Sequence, residues 1–189
     1  MKKTIFILVI VALLGLGYWI YVKDTEREEP QVTVTSFEEC ANAGFPIMES
    51  YPRQCRDSEG NLFVENFGNE IEKMDFIRLT SPRPNEEITS PVKITGEARG
   101  TWFFEANFPI VVVDWDGLII GEGYATSLGE WMTTDFVPFE AEVEFDISQI
   151  RGNYSNRGAL ILQKANPSDI SENDDALEIP IMFKDEVEI

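Results

Sequence analysis

Hydrophobic and polar positions alternate most cleanly from Glu140 to Ile147. Ala141, Val143, Phe145 and Ile147 interleave with Glu140, Glu142, Glu144 and Asp146. A period of two puts one row of side chains in a core and leaves an acidic row in water, which is the signature of a half-buried strand. The same reading predicts strands over Phe76–Thr80, Val92–Gly96, Ile110–Trp115 and Leu118–Ile120. Asp116-Gly117 separates the last two as a two-residue type I′ hairpin turn. Ala159–Leu162 is a continuous apolar run, suited to a strand covered on both faces. Ile179, Ile181 and Phe183 alternate with Pro180, Met182 and Lys184. Pro180 has no N–H to give to a ladder, so this last strand is expected at a sheet edge.

Upstream the pattern changes. Thr4 to Val22 carries no charge and follows Met1-Lys2-Lys3. As a helix it would cover about 28 Å, close to the hydrocarbon thickness of a bilayer. Tyr18, Trp19 and Tyr21 close the run as interfacial aromatics, and the leading lysines favour a cytoplasmic N-terminus. Residues 1–22 are therefore expected to be a single-pass membrane anchor that places the bulk of the chain outside the cytoplasm. The alternative is a cleaved signal peptide and a secreted product; the run is long for a signal peptide and no A-x-A site follows it. Residues 23–35 are charged, contain Pro30 and read as a linker.

Residues 36–67 form a two-cysteine module. Ser36 with Glu39 predicts a capped helix start, and Gly44 its end. Asp57-Ser58-Glu59-Gly60 predicts a turn ahead of a short strand, Leu62–Val64. Cys40 and Cys55 are the only cysteines. In a segment placed outside the cytoplasm, a disulfide is the natural reading. A metal pair would need more ligands, and a redox pair would normally be C-x-x-C.

Seven strand candidates between Met74 and Lys184, with no stretch of helical period, predict an all-β fold: an immunoglobulin-like β-sandwich of about seven strands over residues 74–184. The Cys…Trp…Cys core of antibody domains is missing, because both cysteines lie upstream.

Composition narrows the function. The chain has 189 residues, 34 Asp+Glu against 15 Lys+Arg, no His and a net charge of −19. The acidic surface argues against nucleic-acid binding, which needs cations to displace phosphate counterions. The absence of His removes Ser-His-Asp and Cys-His nucleophilic sites and His-ligated zinc. A hydrophobic fraction of 43% is too high for a disordered acidic tail.

The ordered runs Ser90-Pro91-Val92-Lys93-Ile94-Thr95-Gly96, Trp102-Phe103-Phe104-Glu105-Ala106-Asn107-Phe108, Val113-Asp114-Trp115-Asp116-Gly117, Gly121-Glu122-Gly123-Tyr124-Ala125 and Trp131-Met132 with Phe136-Val137-Pro138-Phe139 together resemble one family. It is the immunoglobulin-like domain named for bacterial spore-germination and sporulation proteins, the Gmad family. The resemblance implies an exported bacterial all-β module and no catalytic residues. Cys55–Phe63 also resembles Kazal-type protease inhibitors around their Cys-Gly-Ser-Asp-Gly stretch. Those inhibitors use three disulfides and this chain can form one. An inhibitor reading would need Arg53 presented on an exposed loop.

The candidate site residues are few. Trp102, Phe103, Phe104, Trp115 and Trp131 could form an exposed binding surface or could close the end of the core. Asp114 with Asp116, and Asp169, Glu172, Asp174 and Asp175, are oxygen-rich loops that could hold Ca²⁺, although neither has EF-hand spacing. No other cofactor is expected. Asn153-Tyr154-Ser155 fits a glycosylation sequon and marks an exposed loop. The expected function is non-catalytic binding or scaffolding in the bacterial cell envelope, toward a protein or glycan partner. The rivals are an auxiliary subunit acting through its membrane helix and a carboxylate-based hydrolase.

Overall fold

The computed structural model describes residues 18–19, 33–149, 155–168 and 170–184. The expected anchor and linker, residues 1–22 and 23–35, lie largely outside the described residues, as do Asn153 and Tyr154 of the sequon and Asp169. Tyr18 and Trp19 are helical and exposed. Among the described residues no helix is long and apolar enough to cross a membrane.

The chain is mostly β. A helix α1 (Phe37–Asn42) is followed by β1 (Ile47–Met48), β2 (Gln54–Arg56) and β3 (Leu62–Val64), which make a small sheet in that order. A four-residue helix α2 (Glu70–Lys73) leads into β4 (Ile77–Ser81), β5 (Glu87–Ile88), β6 (Val92–Arg99), β7 (Asn107–Asp114), β8 (Ile119–Ser127), β9 (Phe136–Val143), β10 (Arg157–Gln163) and β11 (Ala176–Phe183). These eight strands form one sheet, ordered β4-β6-β9-β8-β7-β10-β11-β5. Packing divides the chain into two compact units. One comprises residues up to Ile47 with Cys55–Phe63; the other comprises Met48–Gln54 and Val64 onward.

In the smaller unit, the hydroxyl of Ser36 accepts from the Glu39 N–H at 3.1 Å and starts α1. The Glu39 carboxylate reaches one residue further back than a capping box would, accepting from both the N–H and the hydroxyl of Thr35. Gly44 takes φ +82, the left-handed conformation that stops a helix. Phe37 and Cys40 share the buried face of α1 and pack with Val34 and Cys55. Cys40 and Cys55 form the expected disulfide. Closing this loop stabilises the unit by about 3 kcal/mol in the chain-entropy account.

In the larger unit, the inward rows are Ile77 and Leu79 of β4, Val92, Ile94 and Ala98 of β6, and Val137, Phe139, Ala141 and Val143 of β9. They meet Phe108, Ile110 and Val112 of β7, Leu160 and Leu162 of β10, and Leu177, Ile179, Ile181 and Phe183 of β11 in one core. The sheet therefore folds over itself. Its halves, β4-β6-β9 and β8-β7-β10-β11-β5, are joined along β8–β9 by Thr126↔Glu140 and Ser127↔Phe139. Phe108 meets Phe139 across the core, ring centroids 5.0 Å apart.

Four expectations need correction. The strand read over Glu140–Ile147 is displaced: β9 runs Phe136–Val143, Phe145 makes only an isolated bridge with Gly121, and Ile147 opens a 3₁₀ turn. Eight strands occur where seven were expected, because β5 adds a two-residue parallel pairing to β11. β11 is consequently not the outermost strand. The Pro180 carbonyl accepts from Asn85 N–H at 2.7 Å on the β5 side. The donor that proline lacks falls on that same side, where no ladder bond is made. The β7–β8 connection is not a type I′ turn: of Asp116-Gly117 only Gly117 has positive φ. The Gly117 N–H bonds the Asp114 carbonyl at 3.1 Å, and the Asp114 N–H bonds the Leu118 carbonyl at 2.9 Å. This is a three-residue loop ending in a left-handed glycine.

Candidate functional site

The structure separates the aromatic residues singled out above. Gly100–Trp102 form a single 3₁₀ turn, and Phe103 then returns to extended backbone. This change of geometry lets two successive large side chains both point inward, which a regular strand forbids. Trp102 and Phe103 are 1% and 4% exposed and belong to the core. Phe103 lies edge-on to Phe108 at 5.2 Å. The Trp102 indole N–H is buried without a hydrogen-bond partner among the described residues. Trp131 is half-buried against the same core. Phe104 and Trp115 are 46% and 45% exposed.

Phe104 opens a tight turn. Its N–H donates to the Asn107 carbonyl at 2.9 Å, and the Asn107 N–H donates back at 3.0 Å. The two residues between them, Glu105 and Ala106, have φ +50 and +64. This is a type I′ turn built without glycine or asparagine, so both positions carry left-handed strain of about 1 kcal/mol each. The turn forms one rim of a groove of about 580 Å³, lined also by Pro109, Tyr124, Asn166 and Pro167. Tyr124 on β8 lies opposite Pro109 on β7. Asn166 and Pro167 arrive from the loop after β10; the Ala165 N–H bonds the Trp102 carbonyl at 3.0 Å and fixes that loop beside the turn.

The polar side chains of the groove divide into two kinds. Asn107 donates to the Glu105 carbonyl and accepts from the Thr126 hydroxyl, both at 2.8 Å. Asn166 donates to the Ile170 carbonyl at 2.8 Å and the Asp174 carboxylate at 2.7 Å, and accepts from Ser168. Both amides are thus committed to holding the rims. The Glu105 carboxylate and the Tyr124 hydroxyl have no hydrogen bond or ion pair among the described residues.

The other candidates have local roles. Asp114 is buried, and its carboxylate accepts the N–H groups of Asp116 and Leu118 at 2.9 and 2.8 Å, shaping the hairpin loop. Asp175 pairs with Lys73 at 2.5 Å. Among the described residues no group of three or more His, Cys, Asp or Glu side chains is placed to hold a metal ion. Arg53 is tied to the buried Glu65 through Nε at 2.8 Å and Nη2 at 2.5 Å. A second buried carboxylate, Glu70, bonds Arg83 at 2.6 Å and the Tyr51 hydroxyl. In the smaller unit, hydrogen bonds from Thr35 hold Glu39 below the ordinary carboxylate range. Desolvation raises Asp57, but donors from Asn61, Glu59 and Gly60 outweigh it and hold the carboxyl low.

The fold defines a class: a mostly β domain built on one eight-stranded sheet, with an irregular aromatic crossing between β6 and β7. Residues 76–156 match the family described as the immunoglobulin-like domain of bacterial spore germination, Gmad2. The match covers the chain from just before β4 to the segment leading into β10. The match agrees with the resemblance carried by the motifs between Ser90 and Phe139. No curated protein and no solved structure matches the chain.

The groove itself was not foreseen beyond Phe104. Glu-Ala carries none of the residues that announce a type I′ turn. Pro167 and Asn166 lie far from Phe104 in sequence, and only the pairing of β7 with β10 brings their loop alongside.

Proposed function

We propose that the chain is a non-catalytic binding or scaffolding protein of the bacterial cell envelope, associated with sporulation or germination. Residues 1–22 anchor it in the membrane, and the immunoglobulin-like domain, a two-layered sandwich, is displayed outside the cytoplasm. The observation that carries this reading is the family match over residues 76–156. The Cys40–Cys55 disulfide agrees with it, because such bonds persist in oxidising compartments. The domain acts as a rigid scaffold and presents its partner surface on turns and loops. The acidic balance of the chain disfavours anionic polymers as partners.

Intact mass of the protein from native membranes, before and after reduction and thiol alkylation, tests the placement. The expected result is the full-length mass, with both thiols blocked until reduction. A mass lacking the first twenty or so residues would replace the anchor with a released soluble protein. Thiols that alkylate without reduction would overturn the extracytoplasmic placement.

A further inference from the structure

We infer that the groove bounded by Phe104, Glu105 and Tyr124 receives a cationic side chain, lysine or arginine, from an extended segment of a partner protein. The inference rests on the binding role proposed above and assigns it a site and a partner chemistry. Three observations converge.

The first is the character of the walls. Phe104 is 46% and Tyr124 68% exposed on a groove that also holds Pro109 and Pro167. Aromatic faces attract ammonium and guanidinium groups, and the apolar walls suit the methylene stem of either side chain.

The second is charge. Glu105 lies in the groove with no cation paired to it among the described residues. Other carboxylates of this unit, Glu122 and Glu178 among them, also have no ion pair among the described residues, and what sets Glu105 apart is its place beside Phe104 and Tyr124 in the groove lining. The net charge of −19 steers cations toward the molecule and repels anions. The two groove amides are spent on their own loops, so few donors remain for an anion or for the hydroxyls of a sugar.

The third is the turn. Asparagine-glycine would make the same reversal at less conformational cost. Glutamate-alanine keeps a carboxylate on the rim next to the Phe104 ring. Non-glycine residues in left-handed conformations cluster where a site needs a side chain that the backbone alone would not select.

The test uses the full chain in nanodiscs of zwitterionic lipid, at about 0.15 M salt so that diffuse attraction is screened. Pentalysine is titrated by calorimetry, with pentaglutamate and chitotetraose as comparison ligands. The ¹³C ring signals of Tyr124, assigned with Tyr124→Phe, are followed in parallel. The expected result is that pentalysine binds and moves the Tyr124 signals. Glu105→Gln and Tyr124→Leu should each weaken binding by about tenfold, since each removes one strong element of a small site. Glu140→Gln, on the opposite half of the sheet, should change it by less than about twofold. Unaltered affinity in Glu105→Gln, or unmoved Tyr124 signals at saturation, would overturn the inference in favour of diffuse binding to an acidic surface. Movement of Tyr124 by chitotetraose and not by pentalysine would overturn it in favour of a glycan. Pentalysine binding in nanodiscs does not depend on cellular placement. A failure here therefore leaves the mass measurement standing, and a failure there leaves this result readable.

Discussion

The two outer faces of the large sheet are built on one core and differ in how far their groups pair with one another. On the half β4-β6-β9, the outward positions are Arg78, Thr80, Lys93, Thr95, Glu97, Arg99, Phe136, Pro138, Glu140 and Glu142. Arg78 pairs with Glu97 at 3.0 Å, and Lys93 lies 3.8 Å from Glu140. Arg78 and Arg99 stack over the Phe136 ring at 4.0 and 4.1 Å. On the half β8-β7-β10-β11, the outward positions include Tyr124, Pro109, Val111, Val113, Ala159, Ile161 and Pro180, with Glu122, Arg157 and Glu178 among them. Val111 is only 8% exposed although it faces away from the core. The charged face satisfies its own cations and its own aromatic ring. The more apolar face ends at the groove, where Phe104, Tyr124 and the Glu105 carboxylate have no such polar or charged partners among the described residues. Function is sought on the second face for that reason: a surface whose groups already answer one another has little to offer a partner.

The largest effects should erase the distinction. Phe108→Ala and Phe139→Ala each remove one ring of the pair that joins the halves, and each should cost about 3–5 kcal/mol. Both faces should then unfold in one transition, followed by urea titration of the Trp signal. Two separated transitions would mean that the halves are independent. A smaller effect sharpens the contrast. Val111→Ala and Ile161→Ala should each lose about 1–2 kcal/mol, because these outward side chains bury apolar area. Lys93→Ala and Glu142→Ala should stay within about 0.5 kcal/mol, as expected for solvated charges. Urea midpoints at constant slope measure both sets, and equal costs on the two faces would remove the comparison.

The smallest effect lies outside both faces and serves as the control. Asp57 and Glu39 have folded-state pKa values below their ordinary ones. Their contribution is therefore complete above the ordinary carboxylate range and is lost as pH falls through the lowered folded values, from about pH 4 downward. Amide protection at Glu59 and Asn61, whose N–H groups the Asp57 carboxylate holds, should fall over that window once exchange is referred to the intrinsic rate at each pH. Asp57→Asn should flatten the dependence.

Local chemistry was legible in the sequence wherever a single residue type does the work. Ser36 announces its helix, Gly44 ends it, and Ala141–Phe145 reads as alternation because inward and outward rows differ there as much as two rows can. The same rule hid the more important half of the sheet. On β7, Val111 and Val113 face outward beside inward Ile110 and Val112, so no alternation marks the strand, and it appears only as an apolar run. β5 is two residues long, below the length at which any pattern exists. Pro180 marks a missing donor, but the identity of the strand beside it is a property of the whole sheet order. The groove is hidden for a related reason: its rim is a turn that violates turn chemistry, and its far wall comes from another strand pair.

The turn at Glu105-Ala106 has a consequence for anyone who would improve this protein by rule. A thermostabilisation scheme that scores backbone preference alone would write asparagine-glycine here, gain in melting temperature and count the change as neutral. It would also delete the Glu105 carboxylate from the groove. Relatives selected for endurance and relatives selected for recognition should part company at this dipeptide, and its composition in a new sequence would report which pressure had prevailed.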